Sequence, residues 1–402
     1  VNLNWNEAIH RHWLAGNRPR AMQEIMAAMQ KSHGKRPFGL AMQFIHYLSL
    51  LQEWPVALAA LEDLAKTYPG NAVIQRNIAL AALNVNAFDR ADQAISETLA
   101  EAPNDPISLD ILNLLRYRQG RFEEAAAAGS ASLRAKARAS SQRQPGWSLP
   151  SDTPSIWLAS APQPRRDVIS FSLFGSSPRY LRGAFDNIRA ARELYPEWQV
   201  RFYVDPTVPP QVVKGLDALG AQIVSKPAGL PVFRKLAWRF EVADDPAVGR
   251  FLVRDADCVL TARERAAVDA WIASDRWFHI MRDWWVHGAL VLAGMWGGVA
   301  TVLPSMKRLL DKYTPHRASN TVADQDFLRE RLWPYLNASC LVHDRCFDAD
   351  GVVRWPVPAP PGDDHVGINV FAAEEGVQAE RVKAFICENL GTDASTLRPL
   401  GL

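Results

Sequence analysis

Two carboxylates stand two residues apart in Arg254-Asp255-Ala256-Asp257, directly after the apolar run Phe251-Leu252-Val253. In extended chain, residues i and i+2 face the same side, so both carboxylates can meet one ion. Their hard oxygens suit Mn2+ or Mg2+, and such ions in turn hold diphosphate oxygens. A metal there would neutralise charge gathering on a departing nucleoside diphosphate. A bare Asp-x-Asp also serves as a solvated turn, and its setting decides between the two. Here it closes a strand, the end of an open α/β sheet at which ligands bind.

The elements that must position this pair alternate. Strand-like runs at Val168–Phe174, Trp198–Val204, Ala221–Val224 and Arg250–Val253 are separated by helical stretches at Tyr180–Leu194, Pro210–Leu219 and Phe233–Val242. Such alternation predicts a parallel sheet with helices on both faces. The uncharged run from Gly288 to Met306 holds four glycines and a proline. Its length is near the lower limit of a membrane span, and it reads as buried strand and loop.

The first third has a different texture. Ala57, Ala91 and Ala125 recur every 34 residues, as do Trp54, Phe88 and Phe122, and Pro69 and Pro103. Gly120-Arg-Phe-Glu-Glu-Ala125 has the small–x–aromatic–x–x–Ala form of a tetratricopeptide turn, and a more divergent copy runs from Gly16 to Ala21. The period predicts stacked helix pairs. Alanines allow close helix crossing, the aromatics fill the gap beside each turn, and proline stops the second helix. The expected organisation is a tetratricopeptide-like helical domain over 1–137, a Ser- and Pro-rich linker over 138–166, and an α/β domain over 167–402. Trp147 and Trp157 predict that parts of the linker pack down on a domain.

Bulk properties narrow the classes. The 402 residues are 48% hydrophobic and 22% charged, with a formal charge of +2. That balance is ordinary for a globular protein and makes no electrostatic case for nucleic acid. Four cysteines form neither a disulfide framework nor paired zinc ligands. Residues 1–18 have no apolar signal-peptide core, so the expected location is cytoplasmic, with peripheral contact at the inner membrane compatible with it. No P-loop, G-x-G-x-x-G, G-x-S-x-G or H-E-x-x-H is present.

Six segments in order, Ser172-Leu-Phe-Gly175, Arg254-Asp-Ala-Asp257, Met281-Arg-Asp283, Gly294-Met-Trp-Gly297, Asp324-Gln-Asp-Phe-Leu328 and Val342-His-Asp344, resemble a bacterial tetratricopeptide-repeat glycosyltransferase family. Its catalytic domain is of the GT-A, nucleotide-diphospho-sugar type, and the likeness covers Val168 to about Gly367. The Asp-Gln pair also resembles retaining galactosyl- and glucosyltransferases. The resemblance implies that Asp255 and Asp257 hold metal and diphosphate, joined by a late histidine, for which His343 is preferred over His365. It further implies a UDP- or GDP-sugar as donor and a protein or glycan as acceptor, the repeats being suited to recruiting it.

Glycosyl transfer needs a base for the acceptor or a group that stabilises oxocarbenium-like charge. Asp283, Asp324 and Gln325 are the candidates, although either aspartate could instead cap a helix. Arg239 and Arg254 are candidate diphosphate partners through their guanidinium forks. Phe171 and Gly175 are expected to meet the nucleotide base, and Trp296 could offer a flat face to a sugar or lie in the core. Two rivals remain: an interaction protein with a non-catalytic transferase-like domain, and a nucleotidyltransferase. The second usually needs a Gly-rich basic loop after the first strand, whereas Gly175-Ser-Ser-Pro-Arg179 is short with a single arginine.

Overall fold

The computed structural model describes residues 5–31, 37–140, 143–315 and 323–368. The chain divides into two compact units, Val1–Ala135 and Lys136–Leu402. The end of the expected α/β domain, 369–402, lies outside the described residues.

The first unit is helical: α1 (Glu7–Leu14), α2 (Arg18–Lys31), α3 (Phe38–Leu50), α4 (Trp54–Thr67), α5 (Ala72–Asn84), α6 (Phe88–Glu101), α7 (Pro106–Arg118) and α8 (Phe122–Arg138). Ala21, Ala57, Ala91 and Ala125 are all fully buried, as close helix crossing requires. Trp54 and Phe88 pack against the core, whereas Phe122 is 53% exposed. The gap-filling role expected of the aromatics therefore holds at two positions of three. Asn71 caps α5 through Val73 and Ile74 N–H, and Asp105 caps α7 through Ser108 N–H. Each second helix stops two residues before Pro69 or Pro103.

A further period is conformational. Gln52, Asn86 and Gly120 have φ of 60°, 59° and 73°, each in the turn that ends α3, α5 or α7. Three residue types occupy this left-handed position, so no motif marks it. Glycine adopts it without cost and asparagine tolerates it, while glutamine carries steric strain.

The second unit is a Rossmann-like α/β domain with a mixed sheet. Its elements are α9 (Pro154–Ala159), β1 (Arg166–Leu173), α10 (Pro178–Leu194), β2 (Gln199–Val204), α11 (Pro210–Ala218), β3 (Gln222–Ser225) and α12 (Val232–Leu236). A 3-10 helix, Ala237–Asp244, follows, then β4 (Val248–Arg254), α13 (Ala262–Ile272), β5 (Phe278–Arg282), β6 (Met295–Val299), α14 (Met306–Asp311) and α15 (Ala323–Phe327). A π-helical turn, Leu328–Leu332, leads into α16 (Trp333–Leu336), β7 (Cys340–Asp344) and β8 (Val352–Val353). Trp147 Nε1 donates to the Val302 carbonyl at 3.0 Å, and Trp157 meets Trp277 edge-on at 6.2 Å.

The strand order is β3-β2-β1-β4-β6-β5-β7-β8. β6 runs antiparallel to both β4 and β5, and the other pairings are parallel. This corrects the expectation of a wholly parallel sheet, and within the run read as buried strand and loop it makes Met295–Val299 a central strand. Glycine is required there by packing: a Cβ on Gly297 would lie 2.5 Å from the Phe251 carbonyl oxygen, and one on Gly298 would lie 2.7 Å from the Phe278 ring. The expected helix over Phe233–Val242 tightens to 3-10 after Leu236. From β1 the chain builds outward through β2 and β3, then returns to β1's other side as β4. The strand order reverses there, and in open α/β sheets such a reversal is where the carboxyl ends of the strands, here β1 and β4, leave a crevice for ligands.

Candidate functional site

Asp255-Ala256-Asp257 forms the turn at the carboxyl end of β4, in that crevice. Three residues on neighbouring elements shape it. Gly183 of α10 lets the helix press on the turn, since a Cβ there would lie 2.0 Å from the Ala256 carbonyl oxygen. One turn later, buried Asn187 donates from Nδ2 to the Ala256 and Cys258 carbonyls (both 3.2 Å) and accepts from Leu260 N–H at 3.1 Å. Gly294, just before β6, leaves room for the Asp255 carboxylate, which a Cβ would meet at 2.0 Å.

Arg239 is the central cation. Its Nη1 pairs with Asp255 Oδ1, its Nη2 reaches Asp324 Oδ2 at 3.1 Å, and Nη1 also donates to the Arg254 carbonyl at 3.2 Å. The sequence around it explains this placement. Ser170 and Ser172 alternate along β1 and point to one face. Ser170 donates to the Arg239 carbonyl at 2.8 Å, and Ser172 accepts from Arg239 N–H at 3.0 Å and donates to the Leu236 carbonyl at 3.1 Å. The serines bind the 3-10 helix to the sheet, which fixes the guanidinium beneath the acid turn.

The charge balance is uneven. The Asp255 side chain is 39% exposed while Arg239 is 3% exposed, so the pair opens to solvent on the carboxylate side only. Burial, then the charge of Asp255, raises the pKa of Asp257, and Arg179 at 3.7 Å opposes this. Burial also raises Asp324, opposed by Arg239. For Arg239 itself, burial acts to lower the pKa, but Asp255, Asp324 and Asp257 outweigh it and hold the guanidinium charged. Two crowded carboxylates, one of them open, fit a hard divalent ion such as Mg2+ or Mn2+. Such an ion takes one or two carboxylates and completes its shell with water and substrate phosphates. No group of three His, Cys, Asp or Glu side chains able to hold a metal occurs among the described residues.

The structure gathers Asp255, Asp257, Arg239 and Asp324 and puts Gln325 beside them in sequence, its N–H donating to Asp324 Oδ1 at 2.9 Å. Other expected members stand elsewhere. Arg254 turns inward, pairing through Nε with buried Glu264 and donating to the Val253 and Trp296 carbonyls. Its guanidinium is committed to the interior and offers no fork to a diphosphate. Phe171 is fully buried and stacks on Phe202 at 5.0 Å, so it cannot meet a base. Gly175 does lie in the loop after β1, with φ 76° and its N–H on Thr207 Oγ1 at 2.7 Å. Trp296 is 0% exposed between Phe240 and Phe251; it is a core tryptophan and presents no face to a sugar.

Asp283 is enclosed by a bidentate pair with Arg263 (2.7 and 3.1 Å) and by Val366 N–H at 2.9 Å. His343 lies on β7, separated from β4 by β6 and β5. Its Nδ1 bonds His279 Nε2 at 2.8 Å, and burial, then Arg263, lowers its pKa to about 4. It is neutral but is spent on another imidazole, not aimed at the acid turn. His365 stacks on Trp284 at 4.8 Å, with Nδ1 on the Asp363 carbonyl. Two residues on, Gly367 comes back to the turn, where its carbonyl lies 3.2 Å from Cys258 Sγ.

Arg179, Tyr180, Gly183, Asn187 and the two β1 serines were not among the expected site residues. The one available signal was position. Each lies on the strand or helix of the first β–α unit, which must flank the crevice once β4 returns beside β1.

No protein-family model matches the chain, and no curated protein matches it. Among solved structures, the chain is similar to MamA 41-end from Desulfovibrio magneticus RS-1, at 15% identity and a TM-score of 0.29, covering 32% of this chain and 72% of that one. It is also similar to a mutant of Thermobaculum terrenum O-GlcNAc transferase, at 13% identity and a TM-score of 0.35, covering 54% of this chain and 39% of that one. Likeness at this level carries no assignment of activity. No described helix is long and apolar enough to cross a membrane.

Proposed function

We propose that the chain is a metal-dependent glycosyltransferase that moves a sugar from a nucleotide sugar, a UDP- or GDP-sugar, to a protein or glycan acceptor. The observation that carries the reading is the partly open Asp255–Asp257 turn at the point where the strand order reverses. Asp255 and Asp257 would hold Mn2+ or Mg2+, which would bind the donor diphosphate. The ion supplies charge neutralisation to the leaving diphosphate. Arg239 orients Asp255 and ties it to Asp324. The reaction breaks the anomeric carbon–diphosphate oxygen bond and joins that carbon to an acceptor atom, whose proton must be removed. Asp324 and Gln325 remain the candidates for handling acceptor or sugar, while the enclosure of Asp283 argues for a structural part.

The test is release of nucleoside diphosphate from a panel of nucleotide sugars, with and without Mn2+, beside the Asp255→Ala/Asp257→Ala double variant. Metal-dependent turnover of one donor, lost in the variant, supports the reading and identifies the sugar. The Arg239–Asp255 pair favours a second reading, in which an internal cation permanently neutralises the turn and the protein is a repeat-bearing scaffold. Failure of every donor to bind or turn over would leave that one standing.

A further inference from the structure

Arg179 opens the first turn of α10 with its Nε 3.7 Å from Asp257 Oδ2, a distance too long for a hydrogen bond. Tyr180 is one of the groups that orient the guanidinium: the guanidinium carbon lies 4.5 Å from the ring centroid, and Nη2 donates to the Tyr180 hydroxyl at 2.6 Å. The Arg179 side chain keeps 29% of its surface exposed, against 3% for Arg239 and 4% for Arg254. The helix that carries it cannot drift, because Gly183 and Asn187 clamp α10 to the acid turn.

The charges state what the crevice lacks. Asp255, Asp257 and Asp324 stand against Arg239 and Arg179 around the turn. A divalent ion held by open Asp255 and largely buried Asp257 would add two positive charges beside the Arg179 guanidinium, on the flank of the turn formed by α10. An anion bearing more than one charge and several oxygens suits a site that offers both a hard cation and an oriented fork. A pyrophosphate linkage has that form; a single carboxylate does not need both.

We infer that Arg179, held by Tyr180, is a diphosphate-contacting residue of the donor site, binding the nucleoside diphosphate oxygens on the side of the metal turn formed by α10. The inference rests on the transferase reading above and adds a residue that neither the motifs nor their spacing indicated.

The experiment uses the full chain and titration calorimetry with UDP and with GDP, in Mn2+ and in chelator, plus Mn2+ alone. Arg179→Gln is expected to leave binding of Mn2+ alone within about twofold and to weaken the preferred nucleoside diphosphate about 10- to 100-fold, the range for a charge-assisted bond. Arg179→Lys should fall between, since charge remains and the fork is lost. UMP or GMP, lacking the second phosphate, should be affected less. Thermal unfolding checks each variant, and Tyr180→Phe provides a second route: loss of the hydroxyl should weaken the same constant several-fold. Unchanged diphosphate binding in Arg179→Gln would sink the inference. So would an equal loss of Mn2+ and diphosphate binding, because Arg179 would then act only by holding Asp257. A wild-type chain that binds neither UDP nor GDP with Mn2+ would overturn the donor reading itself.

Discussion

Two acid-bearing turns in the second unit, one after β4 and one after β5, use the same ingredients to opposite ends. Each sets an aspartate against a buried arginine: Asp255 with Arg239, and Asp283 with Arg263. Asp255 keeps 39% of its side chain exposed and Asp283 keeps none. The enclosed pair also receives Val366 N–H, and Arg263 lies 4.3 Å over the Trp355 ring. One turn is thus left able to accept a ligand, while the other is closed into a fastening for the chain's later segments. An aspartate in a motif cannot be assigned to chemistry until the reach of its arginine and its exposure are known.

Folding stability measured by denaturant unfolding tests this contrast directly. Asp283→Ala should have the largest effect, about 3–5 kcal/mol, because it leaves the Arg263 charge buried and unpaired. Loss below about 1 kcal/mol would break the comparison. Gly294→Ala should come next, at about 1–3 kcal/mol for overpacking, together with weaker Mn2+ binding, because the new methyl collides with Asp255. Asp257→Asn should change stability by under about 1 kcal/mol, since burial and then the charge of Asp255 already disfavour the ionised aspartate, while metal-dependent turnover falls by roughly 100-fold or more, on the scale of about 3 kcal/mol. A large stability loss without a kinetic one would reverse the roles given to the two turns.

The smallest effect is a pH slope. The pKa of Asp257 is raised above its ordinary value of 3.8, chiefly by burial. The folded chain therefore binds this proton more tightly than the unfolded chain does. Its contribution to stability is unaffected below 3.8 and becomes unfavourable as pH rises from there through the raised value. The difference in unfolding free energy between wild type and Asp257→Asn, followed without metal, should shift in the variant's favour over that window. Saturating Mn2+ should remove the shift by favouring the ionised form.

Much of the architecture was legible because it is periodic. The 34-residue recurrence of Ala57, Ala91 and Ala125 reports helix crossings, and alternating strand and helix runs report the α/β unit up to β4. The position of Asp255 and Asp257 at the end of an apolar strand was legible too. β6 was not, because glycines that packing demands read like the glycines of a loop. Arg239 and Arg254 also look alike in sequence, and their fates differ only through Glu264, which takes one inward, and the β1 serines, which aim the other at the crevice. Trp296 sits in a motif-like segment and Phe171 directly before one, yet both serve the interior, since strand alternation puts a core residue beside every crevice residue. Asn187 and Gly183 act across long sequence separations that no local pattern records.

The clamp of α10 on the acid turn has a thermodynamic consequence. A turn ending a strand ordinarily samples many conformers, and a ligand that needs one of them must offset the lost entropy, at about 1–2 kcal/mol per residue fixed. Here Asn187 and Gly183 freeze Ala256 through Leu260 during folding itself. The entropic cost of ordering these residues is met by the hydrophobic burial of α10, so a ligand at this turn would bind with little ordering penalty. In amide hydrogen exchange, Leu260 N–H should accordingly behave like a strand amide, although it lies outside any strand.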